Sequence, residues 1–395
     1  MLPRDRRFML SVLHPVFALT GVAACVTGPL LPSLARDFHL SDAQSGLLLF
    51  SVYAGMASGA LVCRGNYARV LLAGCAAMTL GCLVFPWIPR PLLFPMAFFY
   101  GASVGAPMTA VSLFAGRNYL AHRAATLTLL NFTWSLGATA GPLLAARLLA
   151  VASWRSVYTA LAGASALAAL AVAITIRDTQ ETPRATPETS GLRNVRLITL
   201  FAVFFFLEVG VEVMAGAWVT TYVLRATAVT MAFAAAASAL FWGGFLASRG
   251  LAPLVLLRMA PGKLLQSALL TGLAAASLLV ASRLALPLIA AILLLGLALG
   301  PVFPLALAAF LDRARHTSDS RFILSVSGFG GAILPWVVGG ISAHAGSLRI
   351  GLFTAPVTLL VMVAMLPLLG VSRPAVSPLL PSIDRAAPSS GEPLR

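Results

Sequence analysis

An all-α membrane protein with twelve transmembrane helices, arranged as two parallel six-helix bundles, is the fold class this sequence predicts. Three observations predict it. The 395-residue chain is 59% hydrophobic and only 10% charged, far from the roughly 25% charged of soluble domains. Apolar runs of about 20 residues, the length that crosses a bilayer core, recur between clusters of charge. The chain also resembles itself when slid by about 194 residues, a shift that spans six runs and therefore relates two halves of the same orientation.

In order, the runs fall near 9–31, 43–62, 70–88, 92–115, 124–146 and 156–176, then 197–223, 229–248, 264–282, 285–310, 322–342 and 350–370. The first, in MLPRDRRFMLSVLHPVFALTGVAACV, starts like a signal peptide, but its span-length apolar core and the eleven runs after it predict an uncleaved helix. After the sixth run, RDTQETPRATPETSGLRNVR (177–196) is rich in Pro, Thr and charge and reads as a linker on the cytoplasmic side. Beyond the twelfth, SRPAVSPLLPSIDRAAPSSGEPLR has no apolar period and reads as a disordered tail. The expected domains are therefore an N-terminal bundle over 1–176, the linker 177–196, a C-terminal bundle over 197–371 and a tail over 372–395.

The net charge of +15 would suggest nucleic acid for a soluble chain, but its placement explains it without such a partner. With the first segment inside, seven of the 27 basic residues fall outside: Arg36, Arg90, Arg147, Arg155, Arg225, Arg283 and Arg349. The other twenty fall inside, a bias that predicts cytoplasmic termini and an even number of spans. The four cysteines, Cys25, Cys63, Cys75 and Cys82, lack metal-ligand spacing and read as small buried hydrophobes.

The repeat is visible in three places. GALVCRGNYARVLL from Gly59 meets PLVLLRMAPGKLL from Pro253, so that Arg64 falls on Arg258 and Arg69 on Lys263. GASVGAPM from Gly101 meets GLALGPVF from Gly296. LGATAGPLL from Leu136 meets GGAILPWVV from Gly330, with Gly137 on Gly331 and Pro142 near Pro335. Glycines and prolines of this kind mark close helix contacts and bends.

The seventh run carries the chemistry. In FFFLEVGVEVMAGAWVTTYV, Glu208 and Glu212 are four apart, so a helix sets them on one face about 6 Å apart along its axis. Arg196 and Arg225 flank the run, and their midpoint falls between the two acids. An acid at that depth costs a few kcal/mol unless it meets water, a partner or a proton. The other ten acids all fall in loops, tails or span ends. Arg249 and Arg147 are the nearest arginine partners, and both are expected near span ends.

Several stretches resemble the major facilitator superfamily. Gly59, Leu61, Arg64 and Arg69 look like the remains of its loop motif Gly-x-Leu-Ala-Asp-Arg-x-Gly-Arg-Arg, and Arg258 and Lys263 follow in the second half. The resemblance implies a gating loop at Arg64, Arg69, Arg258 and Lys263. Cys63 and Leu257 occupy the aspartate positions, so that residue's salt bridge cannot operate unchanged. TGPLLPSLARDFHLSDAQSGLLL from Thr27, RAATLTLLNFTWSLGATAGPLL from Arg123, FLEVGVEVMAGAWVTTYV from Phe206, FWGGFLASR from Phe241 and GLALGPVFPLALA from Gly296 are more specifically similar to the fucose/glucose:proton symporter branch and its bacterial relatives. Glu212 also matches that branch's Val-Gly-x-Glu pattern. The resemblance implies sugar:proton symport by alternating access in a bacterial inner membrane. It also implies acids in the first and fourth spans, which this chain lacks, leaving Glu208 and Glu212 as the candidate proton carriers.

For substrate, an amide beside an aromatic face suits a sugar ring, bonding its hydroxyls and covering its C–H surface. Asn131, Trp134 and Ser135 follow i, i+3, i+4 spacing on the fifth span, and Trp218 and Tyr222 lie beyond the glutamates. Trp242, Phe303 and Trp336 are further candidates. A proton-driven exporter of amphipathic compounds would use the same lining and remains the alternative. No nucleotide-binding GxxxxGK[ST], no HExxH and no Cys/His cluster occurs, so the sequence predicts neither an enzyme nor a cofactor. The expected partners are a small solute, a proton and the lipid bilayer, with the chain acting as a monomer.

Overall fold

The computed structural model describes residues 4–63, 66–119, 123–175, 194–313 and 317–370. Arg64, linker residues 177–193 and the tail from 371 lie outside them. The first half holds α1 (Arg4–Cys25), α2 (Thr27–Asp37), α3 (Asp42–Val62), α4 (Tyr67–Val84), α5 (Leu93–Asn118), α6 (Arg123–Val151) and α7 (Trp154–Thr175). The second holds α8 (Val195–Ala226), α9 (Met231–Leu256), α10 (Pro261–Ala281), α11 (Ala285–Leu299), α12 (Val302–Leu311), α13 (Thr317–Ala345), α14 (Leu348–Leu352) and α15 (Thr354–Leu369). Among the described residues, eleven helices are long and apolar enough to cross a membrane, and α1 with α2, bent by 41°, makes a twelfth. This is an all-helical integral membrane protein.

The breaks have local causes. Pro29 lacks the N–H that the Cys25 carbonyl would accept, and the helix breaks at Val26. At this bend the hydroxyl of Tyr100 donates to the Ala23 carbonyl (2.7 Å) and that of Tyr53 to the Ala24 carbonyl (3.3 Å), supplying polar partners where water is excluded. The tenth span breaks at Gly300–Pro301, between α11 and α12. Several helix starts are capped: Ser41 and Gln44 form a capping box on α3, Asn66 accepts from Arg69 N–H on α4, and Thr230 accepts from Phe233 N–H on α9.

Packing repeats between the halves. In the first, α1 packs on α6, α3 on α5, and α4 on α5 and α7. In the second, α8 packs on α13, α9 on α11, and α10 on α11 and α15. Equivalent glycines permit equivalent contacts: a Cβ on Gly101 would strike the Val52 carbonyl, and one on Gly296 the Phe241 carbonyl. Here the register expected from sequence needs correcting. Gly330, not Gly331, corresponds to Gly137, since their Cβ atoms would strike the Phe206 and Ala18 carbonyls respectively. Val52 and Phe241 are 189 apart, whereas the glycines they meet are 195 apart, because α9 has 26 residues and α3 has 21. The longer α9 carries its extra residues toward the Arg258 turn.

The halves meet through α2 on α8, α3 on α13, and α6 on α9. Gly28 lies against the backbone of Gly216 and Ala217, and Gly46 against Trp336 and Gly339. At the end where α3 begins and α8 finishes, Arg225 donates two hydrogen bonds to Asp42 (2.8 and 2.6 Å), and the Ser342 hydroxyl donates to the same carboxylate. Behind this pair a cleft of about 320 Å³ is lined by Pro32, Leu40, Trp218, Thr221 and Leu224.

Two predictions follow from the packing. Gly101→Ala should lower stability by about 1–3 kcal/mol, because a rigid carbonyl must move, whereas Gly163→Ala meets nothing within 4 Å and should leave the detergent melting temperature unchanged or raised. A cysteine placed by Thr221→Cys should react several-fold faster with a membrane-impermeant maleimide once Asp42→Ala removes the tie; equal rates would show that Asp42 does not close this end.

Candidate functional site

The site grows from α8, a 32-residue helix whose N-terminus is capped by Asn194 and whose last turn holds Arg225. Its length puts Glu208 and Glu212 near its middle, one turn apart. Glu208 is 0% exposed and neither of its carboxylate oxygens has a hydrogen-bond partner; Glu212 is 8% exposed. Glu212 looks across to the first half, within electrostatic reach of Cys25 and Tyr53. Cys25 ends the first limb of the bent first span, and Tyr53 of α3 reaches that bend through its bond to the Ala24 carbonyl, so the acid lies near the place where the helix changes direction.

Arg249 corrects the sequence expectation. It does not sit at a span end: α9 continues to Leu256, and the guanidinium turns inward. Its Nε donates to the Gly300 carbonyl (3.1 Å), which has no helical donor because Pro304 stands four residues on. Its Nη1 donates to Ser135 Oγ across the gap between halves (3.4 Å), and its charge lies 4.1 Å from the centre of the Phe245 ring. The same charge is felt by both glutamates.

Among the substrate candidates, Trp134 of α6 and Trp242 of α9 come together from opposite halves, edge to face at 6.1 Å. Both indole N–H groups are buried without a partner. Trp242 lies against Gly216, one turn beyond Glu212 on the same face of α8. Ser135 is buried, donates to the Asn131 carbonyl (3.1 Å) and receives Arg249. The Asn131 amide donates to the Leu127 carbonyl (2.9 Å) on an exposed face of α6.

The remaining candidates are placed differently. Trp218 is fully buried with its N–H on the Pro335 carbonyl (2.9 Å), and the Tyr222 hydroxyl meets the Leu279 carbonyl (3.3 Å), so their polar atoms join α8 to α13 and α10. Phe303 packs on Phe205 at 4.9 Å, and Trp336 on Phe50 at 5.7 Å. Of the loop residues, Arg69 lies in the first turn of α4, Arg258 in the α9–α10 turn and Lys263 in the first turn of α10. Cys63 is buried at the end of α3, and Arg117 stacks on Tyr67 at 4.3 Å. His14 hydrogen-bonds Thr133 (2.9 Å), and all four cysteines are free and buried.

Sequence reasoning named Arg249 but set it near a span end, and it missed Tyr53 and the Asp42–Arg225 tie. Arg249 left one signal: a lone arginine after FWGGFLAS, with further arginine only after another nine residues. The tie left none, since its partners lie 183 residues apart.

The Major Facilitator Superfamily model matches residues 13–322. A glucose/galactose transporter of Brucella abortus biovar 1 (strain 9-941) is 27% identical over 370 residues, 86% of this chain and 89% of that protein. A sodium-dependent glucose transporter 1A of Mus musculus is 23% identical over 427 residues, 96% of this chain and 99% of the other. Among solved structures, a bacterial homologue of the human lysosomal transporter Spinster, inward-facing and occupied, superposes with a TM-score of 0.71 at 16% identity over 94% of this chain and 98% of that one. The transporter FucP in its outward conformation gives 0.61 at 19% identity over 93% and 99%. The chain is a transporter and belongs to the major facilitator superfamily.

Proposed function

We propose that this transporter moves a monosaccharide together with a proton by alternating access, with Glu208 and Glu212 as the proton carriers. The observation that carries the reading is the Glu208 carboxyl group, wholly buried and with both oxygens unpartnered. An ionised carboxylate in such surroundings costs far more than its protonated form. A group of this kind takes a proton when water reaches it and keeps it when water is excluded.

The glucose- and galactose-carrying relatives support a sugar as the solute. Trp134 and Trp242 support it chemically, offering ring faces and two unspent N–H donors to hydroxyl oxygens that accept. Asn131 would add an amide, while Ser135, Trp218, Tyr222, Phe303 and Trp336 would shape the cavity behind them. Arg64, Arg69, Arg258 and Lys263 would form the gating turns. The arginine distribution supports cytoplasmic termini in an inner membrane, and the twelve spans a working monomer. The tie at Asp42 would close the outer end while the site is open inward.

Proteoliposomes containing the purified chain test this reading. D-glucose or D-galactose should accumulate under an inward proton gradient, and Glu212→Gln should abolish accumulation while leaving sugar counterflow. Accumulation under a sodium gradient alone would move the coupling to sodium, in line with the sodium-dependent mouse relative. Dye extrusion without sugar counterflow would make the chain an exporter. Trp242→Phe keeps an aromatic face, though a smaller one, and removes the indole N–H donor, so KM should rise roughly fivefold for about 1 kcal/mol.

A further inference from the structure

We propose that the cleft behind the Asp42–Arg225 pair is a binding site for a small organic anion, an apolar body bearing one carboxylate, held while the two halves are closed at that end. Neither the glutamate pair nor the sugar has a part in it.

The shape suits a small molecule. The cleft holds about 320 Å³, within the range of about 300–1,000 Å³ that such sites occupy. One wall comes from the first half, with Leu31 and Pro32 of α2 and Leu40 before α3, and the other from Leu224 of α8. Aliphatic walls of this kind cover the hydrocarbon part of a ligand and leave its charge to the rim. Ser45 and Thr221 add one hydroxyl from each half, and that of Thr221 is buried without a partner. The cleft exists because the halves meet here.

Charge sets the sign of the ligand. Arg36 and Arg225 both line the cleft. Arg225 is occupied, with two hydrogen bonds on Asp42. Arg36 is not: its Nε meets Asp37 at 3.3 Å, and among the described residues its two terminal nitrogens have no partner, on a side chain 78% exposed. Asp37 also receives Trp154 (2.7 Å) and Arg155 (3.1 Å), so it neutralises Arg36 only in part. Arg90 brings a further charge to the same turn, on the His39 carbonyl (3.3 Å). From Arg36 to Asp42, four guanidinium groups thus surround two carboxylates, and the excess is positive. A planar guanidinium with its terminal N–H groups unspent takes a carboxylate on two parallel hydrogen bonds.

An anion seated on Arg36 touches α2 and α8 together. It binds the arrangement in which this end is shut, and by mass action it favours that arrangement. Occupancy therefore slows the opening of this end.

Cysteine protection in the purified full chain in detergent tests the site, with cyclohexanecarboxylate as the probe and cyclohexylmethanol as its neutral counterpart. The four native cysteines are buried, so the parent chain gives the background. Millimolar carboxylate should slow the reaction of Thr221→Cys with a polar maleimide several-fold, and the alcohol should not. Arg36→Gln, added to Thr221→Cys, should raise the concentration for half-protection roughly tenfold, as for loss of a charge-assisted hydrogen bond, and Arg36→Lys should recover part of it. Ser342→Cys, on α13 outside the cleft lining, reads the parting of the halves and should be slowed as well. Equal protection by the alcohol, protection unaltered by Arg36→Gln, or protection by D-glucose in place of the carboxylate would each overturn the anion site. Protection of Thr221→Cys with Ser342→Cys reacting at its unliganded rate would uphold the site and overturn its hold on the closed end.

Discussion

The cost of uncompensated charge in hydrocarbon organises this molecule more than any single contact. Twelve spans carry their backbone polar groups internally, as any membrane helix must. Where a span breaks, the structure supplies a specific donor: tyrosine hydroxyls at Ala23 and Ala24, and a guanidinium at Gly300. Among the described residues, Glu208 is the acid left buried with neither oxygen met.

The breaks and the charges are also neighbours. Glu212 faces the bend in the first span, while Arg249 grips the bend in the tenth. Both bends follow from proline denying a carbonyl its donor, and the glycines beside them let helices approach to backbone contact. Packing that tight does not deform smoothly, so movement between the halves is expected to be of whole bundles hinged at these joints.

Much of this was legible in the sequence, and the parts that were not share a cause. Apolar length and charge placement marked all twelve spans, and two acids in FFFLEVGVEVMAGAWVTTYV could hardly be overlooked. Span ends were read too short wherever a helix outruns the hydrocarbon: the first continues past its bend to Asp37, and the eighth to Leu256. The eighth mattered most, because ending it at the first arginine assigned Arg249 to the surface. The repeat was read with one constant shift, although α9 is longer than α3, and this displaced one glycine pairing by a residue. Which tryptophans share a wall could not be read at all: Trp134 and Trp218 look alike in sequence, and only the fold spends the N–H of Trp218 on Pro335 and leaves that of Trp134 free.

Asp42 fastens three helices with one carboxylate, taking Arg225 from α8 and Ser342 from α13 onto the start of α3. Arg225 is almost half exposed, so dissolved ions can compete for this fastening, while the buried cluster is screened far less. A rise in ionic strength on that side of the membrane therefore loosens this fastening of three helices and leaves the buried acids of α8 nearly untouched.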